Sequence, residues 1–191
     1  MSAPLNLERF LGGFAWFVEA GLTVDAQTIS PLIKPDTIPL TNWTDRSLGD
    51  ILSLKLGNKN EDRSFKRPGT SGGWEIVPRT VVMQDYLDLK SRQMGEQLLR
   101  LQFGLEVTIA EGTAQTPFAN TDRRIEGWLR LQSREESGLD LLILDFWASM
   151  ELTGGIVADG KVSEPEFRLT VIKSSAGVAI AGNSIVFPVQ V

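Results

Sequence analysis

Residues 74–89 read WEIVPRTVVMQDYLDL, and how this run is folded decides the architecture. Val77, Val81, Met83, Leu87 and Leu89 fall on one parity, with Thr80, Gln84 and Asp88 among the other, which is the period-two alternation of a half-buried strand. At ~3.3 Å per residue the run would reach about 50 Å, well over a typical strand. Such a strand has to bend, break near Pro78, or project beyond the body that holds it.

Upstream, Leu48 to Leu56 (LGDILSLKL) alternates as well, with Leu48, Asp50, Leu52, Leu54 and Leu56 on one side and Ile51, Ser53 and Lys55 on the other. Between the two runs lies NKNEDRSFKRPGTSGG at 58–73, a polar stretch ending in glycines that reads as a long loop. It is not a phosphate-binding loop, because no lysine and no helix follow the last glycine. Downstream, Met94, Leu98, Leu101 and Leu105 recur at helical spacing, predicting a helix over 92–103 that Gly104 stops.

The rest of the chain is again β in texture. A strand is expected at 106–110 and a loop at 111–120. Arg124–Gln132 and Leu139–Leu152 flank SREESG and read as a hairpin, with Leu142, Leu144, Phe146, Ala148, Met150 and Leu152 facing the core. Asp159-Gly160 marks a turn, Phe167, Leu169 and Val171 alternate in a later strand, and Ser184–Val191 suits an edge strand because Pro188 cannot donate to a ladder. The predicted fold class is mainly β, sandwich or barrel-like, with one flanking helix and the long loop. Residues 1–191 are expected to form one domain, with the N-terminal 40 residues as an extended arm.

Composition removes several functions. The 191 residues are 42% hydrophobic and 23% charged, the balance of a folded chain with a proper core. There is no cysteine and no histidine, so thiolate chemistry, Cys-ligated zinc and every histidine-dependent triad are excluded. No enzyme, metal or cofactor is expected. The net charge of −5 argues against a protein that holds nucleic acid, which needs a basic surface to release counterions. The apolar run Phe10–Val18 falls far short of the ~18 residues of a membrane span, and Glu8 beside Arg9 fits a signal peptide poorly. The sequon Asn42-Trp43-Thr44 is accordingly expected to be idle.

Two chemical readings are set against plainer ones. The near pairs Glu61/Asp62, Asp85/Asp88, Glu135/Glu136 and Asp140/Asp145 would serve a histidine-free glycosidase only if two faced each other across a cleft; solvated faces and turns explain them more simply. The five tryptophans would suit a carbohydrate-binding module if exposed. Trp128 and Trp147 sit on opposite strands of the proposed hairpin, where packing against each other is the plainer use.

The element order resembles a known family. LGDILSLKL, GNKNEDRSFKRPGTSGG, WEIVPRTVVMQDYLDL and MGEQLLRLQFG give strand, polar loop, long strand and leucine-rich helix. That order is similar to the tail tube (major tail) proteins of long-tailed bacteriophages, and RRIEGWLRLQ, LDLLILDFWASMEL and PEFRLTVI extend the likeness over 48–173. The resemblance implies a non-enzymatic virion protein, assembled in the host cytoplasm, whose copies form rings of six that stack into a hollow tube for DNA passage. Its partners would be itself, other tail proteins and DNA in transit, with no membrane. The length of the N-terminal 40 residues would also suit a related tail-tip or tail-terminator protein, and a contractile injection-system tube protein would have the same fold. On this reading Arg63, Phe65, Lys66 and Arg67 contact a neighbouring subunit or ring, and Thr80, Gln84 and Asp88 face the lumen.

Overall fold

The run at 74–89 is one half of a hairpin that dominates the molecule. The computed structural model describes residues 13–24, 26–35, 47–70, 72–91, 96–105, 114, 116–118, 123–134, 140–154, 164–173 and 180–186, the side chains of 63, 78–83, 96, 134, 140 and 141 excepted. Strand β4 (Ser47–Pro68) has 22 residues and β5 (Trp74–Ser91) has 18. They pair antiparallel from Ile51↔Ser91 out to Pro68↔Trp74. The loop expected over 58–73 is therefore strand as far as Pro68, and the chain reverses only between Pro68 and Trp74. Pro78 does not break β5; it stands opposite Ser64, where the strand's other edge has no partner among the described residues and a proline is tolerated.

The other elements are β1 (Gly13–Glu19), β2 (Thr23–Val24), β3 (Gln27–Thr28), α1 (Glu96–Phe103), β6 (Ile125–Arg134), β7 (Asp140–Gly154), β8 (Glu166–Val171) and β9 (Ser184–Val186). Strands β6, β1, β4, β5, β8 and β7 are hydrogen-bonded in that order, and β7 also pairs with β6, so these six close into an antiparallel barrel with β9 added along β7. The architecture is mainly β and barrel-like, with one helix among the described residues, as the alternation patterns predict.

Side chains of one parity fill the barrel. Phe17 of β1, Leu87 and Leu89 of β5, Leu129 of β6, Phe167 and Leu169 of β8 all lie in one buried cluster. The predicted core face of β7 is there too: Phe146, Ala148 and Met150 are buried, with Leu144 and Leu152 packed at the margin. Helix α1 adds Leu98 and Leu101, each large apolar side chain contributing about 1.5–3 kcal/mol on burial. Gly104 ends the helix with φ +62°, a left-handed cap that lets the Leu105 N–H reach the Arg100 carbonyl at 3.3 Å.

The parity rule fails in β4. Leu48 and Ile51 are both buried although they differ in parity, and Leu56 is 72% exposed. The register slips against β1 between Gly49 and Ser47 and against β5 between Ile51 and Ser53, and each extra residue switches the parity that faces inward. Leu54 and Leu56 then stand opposite the core residues Leu89 and Leu87, and Leu56 is exposed because it lies where β4 leaves the barrel.

A second apolar cluster lies on the outside of the barrel wall. Val18, Ile29, Trp128 and Trp147 are buried there, with Trp16, Val24, Ile172 and Ile180 around them. The cover is made by β2, β3 and the turn from Ser30 to Ile33. This corrects the expectation of an N-terminal extended arm: the described part of the first 40 residues supplies a barrel strand, β1, paired to both β6 and β4, and then the cover. The predicted strand at 106–110, most of the loop at 111–120, the turn at Asp159-Gly160, Glu135/Glu136, the sequon at Asn42 and Pro188 lie outside the described residues.

Candidate self-association surfaces

Beyond the barrel, β4 and β5 continue as a two-stranded arm. The last rung between β1 and β4 is Phe14↔Asp50, and the last between β5 and β8 is Tyr86↔Thr170. From there to the tip, both outer edges of the arm lack a strand partner among the described residues. Open edges of this length are templates for pairing with another chain.

The arm also carries apolar side chains in water. Phe65 is 48% exposed, Ile76 64% and Trp74 73%. Register places Phe65 opposite Val77, and Lys66 opposite Ile76. Alternation puts Phe65 and Val77 on one face, and Ile76 and Trp74 on the other. Of the four residues predicted for a subunit contact, Phe65, Lys66 and Arg67 are exposed near the tip, on a strand instead of in a loop. Arg67 pairs with Glu75 at 2.9 Å, an exposed pair worth about 0–1 kcal/mol. Arg63 stands opposite Arg79, and its side chain lies outside the description. Trp74 counts in the sequence only as one of five tryptophans that would suit a stacking platform, and neither it nor Ile76 reads as part of a subunit contact, since both fall at the start of a half-buried strand.

At the root of the arm, Gly57 stands opposite Tyr86. A Cβ on Gly57 would overlap the Tyr86 ring, so the ring rests directly on the glycine backbone. The Arg168 guanidinium lies 4.5 Å from the centroid of that ring and donates to both oxygens of Asp88, at 2.8 and 3.1 Å. The hydrogen bond from Arg168 holds the Asp88 carboxyl below its usual range, and Asp88 in turn raises Arg168. Lys90, nearer the helix end of β5, is raised chiefly by its hydrogen bond to Glu164.

The three predicted lumen residues do not all come together. Gln84 lines an open concavity of about 1030 Å³ with Arg168 and Thr170 of β8, Ser149 and Glu151 of β7, Glu126 of β6 and Arg124 just before it. Asp88 joins this polar face through Arg168. Thr80 lies further out, opposite Asp62, and a register shift between Lys59 and Asn60 separates it from Gln84, so counting by twos does not carry across. The concavity mixes charges, with Lys59, Arg124, Arg168 and Lys173 against Glu61, Glu126 and Glu151.

The opposite side of the arm root is apolar. A slot of about 500 Å³ opens there, lined by Leu56, Leu87, Leu144, Phe146, Val171 and Ile185, with Asp85, Asn58 and Asn183 among its polar neighbours.

The tryptophan hairpin pair is structural. Trp128 and Trp147 are register partners, their rings 5.6 Å apart at 76°, an edge-to-face contact. Both are fully buried, and Trp128 Nε1 donates to the Ser30 carbonyl at 2.9 Å, pinning the cover. Beside them Arg130 donates to both oxygens of Asp145 at 2.7 and 2.6 Å. Lys34 reaches Asp145 and the Gly182 carbonyl, each at 3.1 Å, tying the Ser30–Ile33 turn to the approach to β9. These rings are closed to a ligand, so they form no stacking platform. Among the described residues, no group of three or more Asp or Glu side chains is arranged to hold a metal, and no helix is long and apolar enough to cross a membrane.

A scan against protein-family models finds no match, and a search of curated proteins finds no relative.

Proposed function

We propose that this protein is a structural component that assembles with copies of itself into stacked rings, forming a hollow tube of the kind made by the bacteriophage tail tube proteins its element order resembles. The observation that carries the reading is the arm. A two-stranded ribbon with no strand on either edge among the described residues and Phe65, Trp74 and Ile76 in water is a poor surface for a permanent monomer and a good one for a neighbouring subunit. The polar face around Gln84 suits a lumen, because it carries charges of both signs and would let DNA slide instead of gripping it.

Negative-stain microscopy of the concentrated protein tests the reading, with rings or striated tubes expected. A control chain should lack the outer arm: Arg63 and Arg79 face each other, so residues 63–79 are deleted and Asp62 is joined to Thr80 through an Asn-Gly turn. This chain should stay folded and monomeric. An intact chain that remains monomeric under every condition overturns the proposal.

A further inference from the structure

We infer that the apolar slot at the arm root is the receptor for the arm tip of a second copy, with Trp74 and Ile76 as the inserted side chains. The inference rests on the self-assembly proposed above and names the two surfaces that meet.

The slot exists because the barrel wall is incomplete on one side. Strand β8 pairs with β7 over Ala148–Gly154 and with β5 over Tyr86–Lys90. Beyond its end at Val171, β7 is paired instead with β9, over Ile143–Asp145, and β9 and β5 do not pair with each other. The gap between them is floored by Leu87, Leu144 and Phe146, side chains in or against the barrel core. Its rim carries Leu56 at 72% exposure and Ile185 at 54%. A cavity of about 150 Å³ takes a benzene ring, so the slot's volume of about 500 Å³ has room for an indole and an isoleucine side chain together. Edges of β9 and β5 that have no strand partner among the described residues flank it, offering backbone partners to an extended segment.

A molecule's own arm cannot fill its own slot. Leu56, Asn58 and Asp85 at the root line the slot, whereas the tip, about ten residues further along a ladder with one register shift at Lys59/Asn60, is roughly 30 Å away. The occupant therefore comes from another molecule. Trp74 and Ile76 share the more exposed apolar face of the tip, and on that face only Lys66 contributes a charge near them. Charge agrees: Arg63 to Ile76 contains Arg63, Lys66 and Arg67 against the single acid Glu75, which pairs with Arg67, while the whole chain is −5. A basic, apolar tip is attracted to an acidic body with an apolar opening. Tip and slot are different surfaces, so the contact is heterologous and propagates from copy to copy instead of closing a pair.

The chain has no cysteine, so each introduced thiol is the only one present. Chains carrying Ile76→Cys are mixed with chains carrying Ile185→Cys, assembled and oxidised. A disulfide-linked pair of one chain of each kind is expected. The control pairs Ile76→Cys with Leu32→Cys, a site on the cover that is 86% exposed, and should give none. Separately, Ile185→Arg places a charge at the rim without touching the core, and should abolish assembly while the circular dichroism spectrum is retained. If intact chains assemble, the arm-shortened chain does not, and Ile185→Arg assembles normally or the Ile76–Ile185 cross-link is missing, the slot is refuted and arm-mediated assembly stands. If intact chains never assemble, both fall.

Discussion

Replacing Trp147 by alanine removes an indole that is 1% exposed and stands edge-on to Trp128. The barrel strands on either side are fixed by ladders, to β6 on one edge and to β8 and β9 on the other, so the site cannot collapse to fill the space. A buried Trp→Ala change of this sort costs about 3–5 kcal/mol. For a chain of this length that is a fall of about 6–20 °C in midpoint, at 2–4 °C per kcal/mol. Trp128→Ala should cost a similar amount and also release the cover, because its hydrogen bond to Ser30 is lost. The double variant should cost less than the sum of the two by about 0.5–1.5 kcal/mol, the coupling of an aromatic pair in contact. Urea unfolding followed by far-ultraviolet circular dichroism measures all three without relying on the removed fluorophores. A loss below about 1 kcal/mol for either single variant, in the range of surface substitutions, refutes the buried pair. Strict additivity would mean that the rings do not touch.

Two further outcomes concern the arm root. Gly57→Ala should destabilise the protein by about 1–3 kcal/mol, since the new methyl meets the Tyr86 ring and that ring is held from another direction by Arg168; the assay is the urea midpoint, and an unchanged value removes the glycine–tyrosine contact. Asp88 has a folded-state pKa below its unfolded one, so its contribution is present above the unfolded value and fades as pH falls through the folded one. In Asp88→Asn the difference in stability between about pH 7 and about pH 3 should shrink, and an unchanged difference would show that the Arg168 pairing does not act in solution.

What was legible in the sequence follows from how many faces each strand buries. The β6–β7 hairpin was readable down to the Trp128–Trp147 partnership, because polar and apolar positions alternate where a strand has one inner and one outer face. Strand β1 was missed for the opposite reason. Ala15 and Phe17 point into the barrel and Val18 lies under the outer cover, so FAWFV is apolar on both parities and has no period to detect. The β4 half of the arm was missed because neither of its faces is buried. Apart from Phe65, Asn58–Arg67 is polar, and only its ladder to β5, invisible in one strand alone, makes it extended. The slot could not be read at all, since it arises from β8 ending before β5 and β7 do.

The arm has a consequence in time. Its rungs join residues close together in the chain, starting from Pro68↔Trp74, whereas the barrel closes only when Phe17 meets Leu129 and Leu129 meets Phe146. Local pairings form before distant ones, because less chain entropy is lost in closing them. The ribbon should therefore zip up early in folding, and its open edges would be on display throughout the slower wait for β1. Refolding yield should fall steeply with protein concentration for the intact chain and only weakly for the arm-shortened one.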